Sequence, residues 1–557
     1  MTIGSTLTTG IRPYLLLTLL CAVLFLPGLA SIPPTDRDEA RFMQATRQML
    51  ESGDWIHIRF QDEPRNKKPI GIYWLQAMTV SVMGQSLATP WPYRLPSALA
   101  AWLAVLVTFH CGRRLFSLAG GLAAATVLAT SFIVVAEAHI AKTDAALLAA
   151  TTLSLAMLGE LYVRPRETKP PLLPALLFWL GLGVGILIKG PIIALVVGAT
   201  ITALAVADRN LDWLSGLRPT IGIPLMLAVV LPWLITVSSG EQGSFIADSL
   251  RQDLLPKLTG GQESHGAPPG SYIAAALLTA WPWSALAPFV VIAAWRERKR
   301  PPIRFCLGWL IPAWIIFEIV PTKLPHYTLP LYPALALLIG WALSHESGGM
   351  SFLRSIGAKT SLAYRTVWAC FTLALGAGVI FASHMFGDGS FTGAIGVAIA
   401  AVAGGIFVLT GFQHRATRSC VAGFTAIGIV LAVSLTSSAL PHLRLLAISP
   451  RLAEAVGRHG TGAPAALVGF HEPSAVFLLG TRTLLTGTAG AAAHILANPG
   501  ALAIVPTDTL DALRTALAAG GHSLGQFEAV EGYNYSRGEW LHLAVVTAAE
   551  PLVGRSR

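Results

Sequence analysis

The side chains most able to do chemistry collect in a few polar stretches between long apolar runs. The richest is PPTDRDEARFMQATRQMLESGDWIHIRFQDEPRNKKPIGIYWL, Pro33 to Leu75. It sets Asp36, Asp38 and Glu39 beside Arg37 and Arg41, and places Arg65, Lys67 and Lys68 about two dozen residues further on. Carboxylates can accept or steer protons, and clustered cations hold phosphate oxygens. Together on one loop beside a membrane, they suit chemistry on an anionic lipid. A charged loop is more often just a solvated loop, but that leaves unexplained why most acidic pairs and basic runs gather here.

Four further stretches add candidates: EAHIAKTD (137–144) with His139 and Asp144, Lys189 before Gly190-Pro191, the 239–270 loop with Arg251, Asp253, Lys257 and His265, and PTKLPHY (321–327) with Lys323, His326 and Tyr327. Each has an ordinary alternative. Asp38 and Asp144 precede helical patterns and could cap them. Lys68 before Pro69 could be a snorkelling lysine, and GGQESHGAPPG could be a flexible loop. His265 and His326 stand in no HxH or HExxH spacing, so no metal site is identified. Charge at the end of a span is expensive without a task or a partner. The functional case rests on convergence of these loops.

What must position them is a membrane scaffold. The chain has 557 residues, 54% hydrophobic and 12% charged, with mean hydropathy +0.61; that composition indicates a polytopic α-helical membrane protein. The net charge of +10 falls mostly in short loops, as topology signals and headgroup contacts. Nothing supports nucleic-acid binding. Five scattered cysteines form no CxxC pair or disulfide framework.

About thirteen spans are expected, near 13–31, 95–112, 117–136, 144–162, 171–188, 190–207, 220–238, 271–295, 303–320, 327–345, 364–386, 391–412 and 418–439. The first is expected to be a retained helix and not a cleaved signal peptide. Gly71–Met83 is too short to span and is expected along the interface. With the N-terminus inside, the even connections (CGRRLFS, YVRPRETKPP, ADRNLDWLSGLRP, WRERKRPPIR, SFLRSIGAKTSLAYR, FQHRATRS) all carry Arg or Lys and are cytoplasmic. The five stretches above then share the outer, periplasmic side. The first of them is basic against the positive-inside rule, which suggests that its cations serve a ligand.

These readings divide the chain at 439/440. Residues 1–439 form a transmembrane unit whose catalytic loops are 32–94 and 239–270. Residues 440–557 form a small outer α/β domain. In it the short runs AALVGF, TLLTG, ALAIVP and LHLAVV read as strands, alternating with helical Pro450–Arg458 and Asp508–Ala519. It has no glycine-rich nucleotide loop, and glycines inside spans read as helix-packing contacts.

The ordered motifs DEARF, QMLESGDW, KKPIGIYWLQA and RLPSAL (38–99), AHIAKTDAAL, IKGP, HGAPPGSY and KLPHYTLPLYPALAL resemble the bacterial lipid-carrier-dependent glycosyltransferases of the GT-C type. That superfamily holds protein O-mannosyltransferases and 4-amino-4-deoxy-L-arabinose lipid A transferases, and the similarity extends over about two-thirds of the chain. The resemblance implies a multi-pass inner-membrane enzyme with a periplasmic C-terminal domain. It implies an inverting transfer of a sugar from a polyprenyl-phosphate (undecaprenyl phosphate) donor to lipid A or another acceptor. Asp38 would be the catalytic carboxylate, with Glu39 and the second acidic position Asp144 beside it. Lys68 and Tyr327 would hold the carrier phosphate, with Arg251, a looser match, and with Arg41 and Lys323. Lys67, Lys189, His265 and His326 complete the candidate substrate contacts. The chain departs at Arg65-Asn66-Lys67-Lys68-Pro69-Ile70, where aminoarabinose transferases carry an aromatic and an acid before Lys-Pro-Pro; this bears on which sugar is moved. The resemblance singles out no cofactor, and a divalent cation stays open. Expected partners are the donor, a lipid or protein acceptor and membrane lipids. The competing class is a lipid or solute transporter, which would place ionisable groups near the bilayer midplane. Here Glu318 is the main such residue.

Overall fold

In a bilayer every backbone N–H and C=O must find its partner within the segment, so apolar runs fold as helices. A computed structural model describes residues 10–35, 37–165, 170–239, 245–251, 255–256, 266–344, 358–411, 417–460 and 462–551. In chain order the α-helices of seven residues or more before the tail are α1 Arg12–Phe25, α2 Asp38–Ser52, α3 Gly71–Met83, α4 Trp91–Leu115, α5 Leu118–Thr130, α6 Phe132–Ala138, α7 Asp144–Tyr162, α8 Leu172–Lys189 and α9 Ile192–Asp208. They continue with α10 Pro219–Ser238, α11 Ser271–Thr279, α12 Ala287–Arg296, α13 Pro301–Ile319, α14 Tyr332–Ser344, α15 Ala358–Phe386, α16 Thr392–Leu409 and α17 Thr417–Ser434.

Each of the thirteen expected spans holds helix. Among the described residues nine helices are long and apolar enough to cross a membrane, or ten when the bent pair α5–α6 counts as one span. The others are shorter than expected: α1 stops early, α9 starts at Ile192, and the 271–295 run breaks between Thr279 and Ala287. α3 is the short helix expected at the interface. Small residues set how closely the bundle packs. A Cβ on Gly112 of α4 would lie 2.7 Å from the Cα of Gly121 in α5, and one on Gly340 of α14 would strike the Gly120 carbonyl. These are close backbone approaches that only glycine permits.

The bundle has two unlike ends. At one, Arg114 pairs with Glu160 at 3.1 Å, Arg304 with Asp208, and Arg218 donates to the Pro170 carbonyl at 3.0 Å. These are the basic connections expected to face the cytoplasm. The other end carries α2, α3, a small hairpin of β1 (Arg59–Phe60) and β2 (Glu63–Pro64), and the C-terminal unit.

That unit runs α18 Ile448–His459, β3 Ala466–Val468, α19 Pro473–Leu479, β4 Leu484–Thr486, α20 Thr488–Ala497, β5 Ala503–Pro506, α21 Leu510–Ala519, β6 His522–Asn534 and β7 Glu539–Pro551. Its sheet has the order β4-β3-β5-β7-β6. β3 is parallel to β4 and β5, and β7 is antiparallel to β5 and β6. Successive strand residues alternate faces, so Ala466, Val468 and Val505 pack under α20 and α21, while Leu467, Ile504 and Val545 pack under α18. The four expected strands are present. Strand β6, as long as β7, was not expected; it is an edge strand on which the half-exposed Glu528 and the exposed Glu531 hide its alternation.

The sheet unit is docked on the first loop. Arg47 Nη1 donates to the Phe477 carbonyl at 2.6 Å, Gln44 Nε2 to Thr481 Oγ1 at 2.7 Å, and Gln61 Nε2 to the Thr483 carbonyl at 2.6 Å. The Phe477 ring meets Tyr93 edge-on at 5.4 Å. The helix carrying Asp38 is therefore held between the bundle and the sheet.

Candidate functional site

α2 begins where two acids favour a helix N-terminus and ends at Gly53, whose φ of +71° closes the last turn. Asp38 and Glu39 are adjacent, yet they have opposite fates. Glu39 is buried: Arg94 Nε and Nη2 donate to its two oxygens at 2.8 and 3.1 Å, the Ala141 N–H at 2.9 Å, and the Thr35 N–H and hydroxyl at 2.8 Å each. Arg94, equally buried, spends its remaining donors on the Leu29, Ile32 and Pro33 carbonyls. Burial alone would raise the Glu39 carboxyl; the guanidinium and N–H donors outweigh it and hold the group below its ordinary value. Glu39 is thus fully engaged by the protein, and Arg94, which the sequence reading did not single out, is its counterion.

Asp38 is turned by about 100° from Glu39 around the helix. Its side chain is 56% exposed, and Arg41 Nη1 lies 3.8 Å from Oδ1. The helix N-cap residue is Arg37, and no side chain caps this end; the capping alternative for Asp38 is not what the structure contains. Asp144 is likewise the first residue of α7, with Thr143 at the N-cap and no side-chain cap bond.

Asp144 instead sits in a cluster of charges drawn from four segments. The α5–α6 bend of 60° brings Glu137 to the turn 139–143. Lys142 Nζ lies 3.3 Å from Glu137 Oε1 and 3.9 Å from Asp144 Oδ2. Lys189, at the electronegative C-terminus of α8, places Nζ 2.5 Å from Asp144 Oδ1. His326 approaches Glu137 Oε1 at 3.7 Å and Asp144 Oδ1 at 3.9 Å, and the Lys189 ammonium lies 5.4 Å from the Tyr327 ring centre. Burial alone would depress the Lys142 ammonium; the carboxylates of Glu137, Asp144 and Asp38 instead raise it above its ordinary value. Glu137 and Lys142 were visible only as members of EAHIAKTD; the signal was two charges at the end of an apolar run.

Beside the cluster lies a cavity of about 460 Å³. Lys67, Lys68, Lys189, His326 and Tyr327 line its polar end, and the rest of its wall is apolar, including Trp233, Phe317, Leu195, Ile246 and Leu250. The last three are 37%, 54% and 44% exposed, so this flank opens toward the lipid. Asn66 Nδ2 donates to Asp248 at 2.9 Å and ties the basic stretch to the segment that closes the cavity. Lys189 and His326 belong to both the cavity and the carboxylate cluster.

Other candidates lie elsewhere. Lys323 donates to the Ala267 and Val320 carbonyls at 2.8 and 2.7 Å and is 9% exposed, so it fastens two loops. Arg251 is one residue beyond the lining residue Leu250 and exposed. His139 faces the Val135 and Pro27 carbonyls at 2.7 Å each. His265, Asp36, Asp253 and Lys257 lie outside the described residues. Glu318 accepts the N–H groups of Gly270, Tyr272 and Ile273 at 2.8, 3.1 and 3.2 Å; it closes the N-terminus of α11, an ordinary task for a carboxylate. Among the described residues no group of three His, Cys, Asp or Glu side chains is placed to hold a metal ion.

Residues 67–236 match the family described as dolichyl-phosphate-mannose-protein mannosyltransferase. Curated relatives include the undecaprenyl phosphate-alpha-4-amino-4-deoxy-L-arabinose arabinosyl transferases of Pseudomonas paraeruginosa (strain PA7), 30% identical over 55% of each chain, and of Pectobacterium carotovorum, 27% identical over 63% of each. The chain spans a little over half the length of the relatives it matches first. Among solved structures, ArnT from Cupriavidus metallidurans bound to undecaprenyl phosphate superposes with TM-score 0.74 and 20% identity over 98% of this chain and 100% of that one. The archaeal oligosaccharyltransferase AglB from Archaeoglobus fulgidus reaches 0.54 and 11% identity over 96% and 74%. The chain resembles the GT-C lipid-carrier glycosyltransferases. It shares the fold of ArnT along nearly its whole length.

Proposed function

We propose that the protein is an inverting glycosyltransferase that takes a sugar from a polyprenyl-phosphate donor and passes it to an acceptor on the outer face of the bacterial inner membrane. The observation that carries this reading is the cavity. A lysine-rich end beside a carboxylate cluster, continued by an apolar wall open to lipid, matches a phosphate headgroup on an isoprenoid chain. Relatives bearing the aminoarabinosyl transferase name support an undecaprenyl phosphate donor and a lipid A acceptor.

The leaving group of such a donor is a phosphate monoester. It departs without a protonated acid when cations meet its growing charge, and Lys67, Lys68 and Lys189 are placed for that, with Tyr327 beside them. Asp38 takes the proton if the acceptor is a hydroxyl; for a phosphate acceptor it positions groups instead. Lys189 and His326 touch both groups of residues and set the distance between carrier phosphate and carboxylates. Attack opposite the departing phosphate inverts the anomeric centre. Residues 1–439 form the membrane unit in this reading, and 440–557 the periplasmic unit that holds the first loop.

A second reading, transfer to protein, draws on the description of the family that matches residues 67–236. It differs in acceptor and shares the donor site. Mass spectrometry of the lipids of cells with and without the protein separates the two. A sugar-sized mass missing from an outer-leaflet glycolipid, with donor accumulating, supports the lipid acceptor. Unchanged lipids together with an altered periplasmic glycoprotein support the second reading, and no change in either sinks both.

Loss of one charge-assisted contact amounts to about 1.5–3 kcal/mol, so Lys68→Ala is expected to weaken donor binding by about 10- to 100-fold. Direct binding of polyprenyl phosphate to the purified variant measures this. Unchanged affinity would remove Lys68 from the phosphate.

A further inference from the structure

We infer that Arg37 is a positioning residue, gripped by the C-terminal unit so that the backbone presents Asp38 to the site. The inference rests on the reading of Asp38 as the working carboxylate.

Arg37 adopts φ 64°, ψ −98°, a region that residues with a Cβ rarely occupy without something holding them there. Its carbonyl accepts the first bond of α2, from the Arg41 N–H at 3.0 Å. Its side chain leaves the helix in the other direction, and Nη2 donates to the Ser536 carbonyl at 2.8 Å, 499 residues away in sequence.

The acceptor is fixed. Ser536 lies in the turn joining β6 to β7. There Asn534 Oδ1 takes the Ser536 N–H at 3.0 Å, and the Asn534 carbonyl takes those of Arg537 and Gly538 at 3.1 and 2.8 Å. Asn534 is itself buried, and its Nδ2 donates to Glu472 at 3.2 Å, just ahead of α19, the helix that packs on α2. On the membrane side Phe386 at the end of α15 stacks near Tyr533 and Trp540, with ring centres 5.2 and 6.1 Å apart. The hairpin tip is therefore seated on both units.

Asp38 thus lies between two anchored neighbours. Arg37 is tied to the sheet unit and Glu39 to Arg94 in the bundle, while Asp38 between them is left exposed. Docking of the two units does not depend on Arg37, because Arg47, Gln44, Gln61 and Phe477 also hold them together. What Arg37 adds is control of the backbone one residue from a reacting group, where a shift of about 1 Å can cost a hundredfold in rate.

The test uses the purified full-length protein with a defined polyprenyl-phosphate sugar donor and the acceptor found above. Arg37→Ala is expected to lower kcat by about 10- to 100-fold with KM for donor and acceptor unchanged. Arg47→Ala, which breaks a docking bond further along α2, away from Asp38, is expected to keep the parent kcat. Arg37→Lys retains a donor of comparable reach and is expected to recover most of the rate, which keeps the question answerable if the alanine variant folds poorly. In an Asp38→Asn background, Arg37→Ala is expected to cost nothing more, since one acts through the other. Full rate in Arg37→Ala, a loss confined to KM, a loss that multiplies in the Asp38→Asn background, or a lysine variant as slow as alanine each overturn the inference. An Asp38→Asn enzyme at full rate would instead overturn the reading beneath it.

Discussion

Asp38→Asn is expected to lower the rate of sugar transfer by ~10²–10⁴, the usual contribution of a positioned general base, while the protein folds as before. The side chain is more than half exposed, and Arg41, its closest charged partner among the described ion pairs, stands 3.8 Å away, so no buried network collapses when its charge goes. Asparagine keeps the shape. What it loses is the proton acceptor and a favourable charge in the first turn of α2, the latter worth roughly 0.3–1 kcal/mol. That is too small to unfold the protein. The loss should fall on kcat under saturating donor and acceptor, with carrier binding retained. A variant that turns over at the parent rate would remove Asp38 from the chemistry, and attention would pass to the Glu137–Asp144 cluster.

The second large effect concerns stability. Glu39 and Arg94 are both buried and hydrogen-bonded to each other and to five backbone groups. Removing one partner of such a pair leaves a buried, uncompensated charge and costs about 3–5 kcal/mol. Arg94→Leu is accordingly expected to lower the unfolding midpoint of the detergent-solubilised protein sharply, and Glu39→Gln less so, since glutamine keeps some acceptors. The pair also predicts a pH dependence. The Glu39 carboxyl is held below its ordinary value of 4.5 in the folded state. Its stabilisation is therefore complete above that value and is lost as pH falls through the lowered one. Melting curves between neutral and strongly acid pH should show the parent losing stability on the acid side, with a shallower slope in Glu39→Gln. Equal slopes in the two proteins would mean that other carboxylates set the acid limit.

Much of the scaffold could be read from the chain, because hydropathy over some twenty residues is a local property. The helices within all thirteen runs, the short interfacial α3 and the strands around Leu467, Leu485, Ile504 and Leu543 follow from it. Individual roles were harder. Asp38 and Glu39 look interchangeable in DEARF, yet a helix turns by about 100° per residue, which leaves one exposed and turns the other into the bundle. Glu39 needed Arg94, 55 residues on, before its role was visible. Lys323 stands in the same motif as His326 and Tyr327, but its ammonium turns back onto two carbonyls. Lys189 and His326 gained weight only when α8 and the 325–331 turn brought both against Asp144. Strand β6 escaped notice because an edge strand need not hide both of its faces.

The exposed Leu195, Ile246 and Leu250 leave the apolar wall of the cavity in contact with hydrocarbon. A carrier entering there comes by lateral diffusion in two dimensions and does not have to cross water. Its effective concentration is then a mole fraction of the membrane and not a molarity. Diluting the donor with inert lipid should slow the enzyme at constant bulk concentration, whereas adding buffer should leave the rate per vesicle unchanged. On the proposed function, turnover is in this way tied to how much of the membrane the cell commits to carrier.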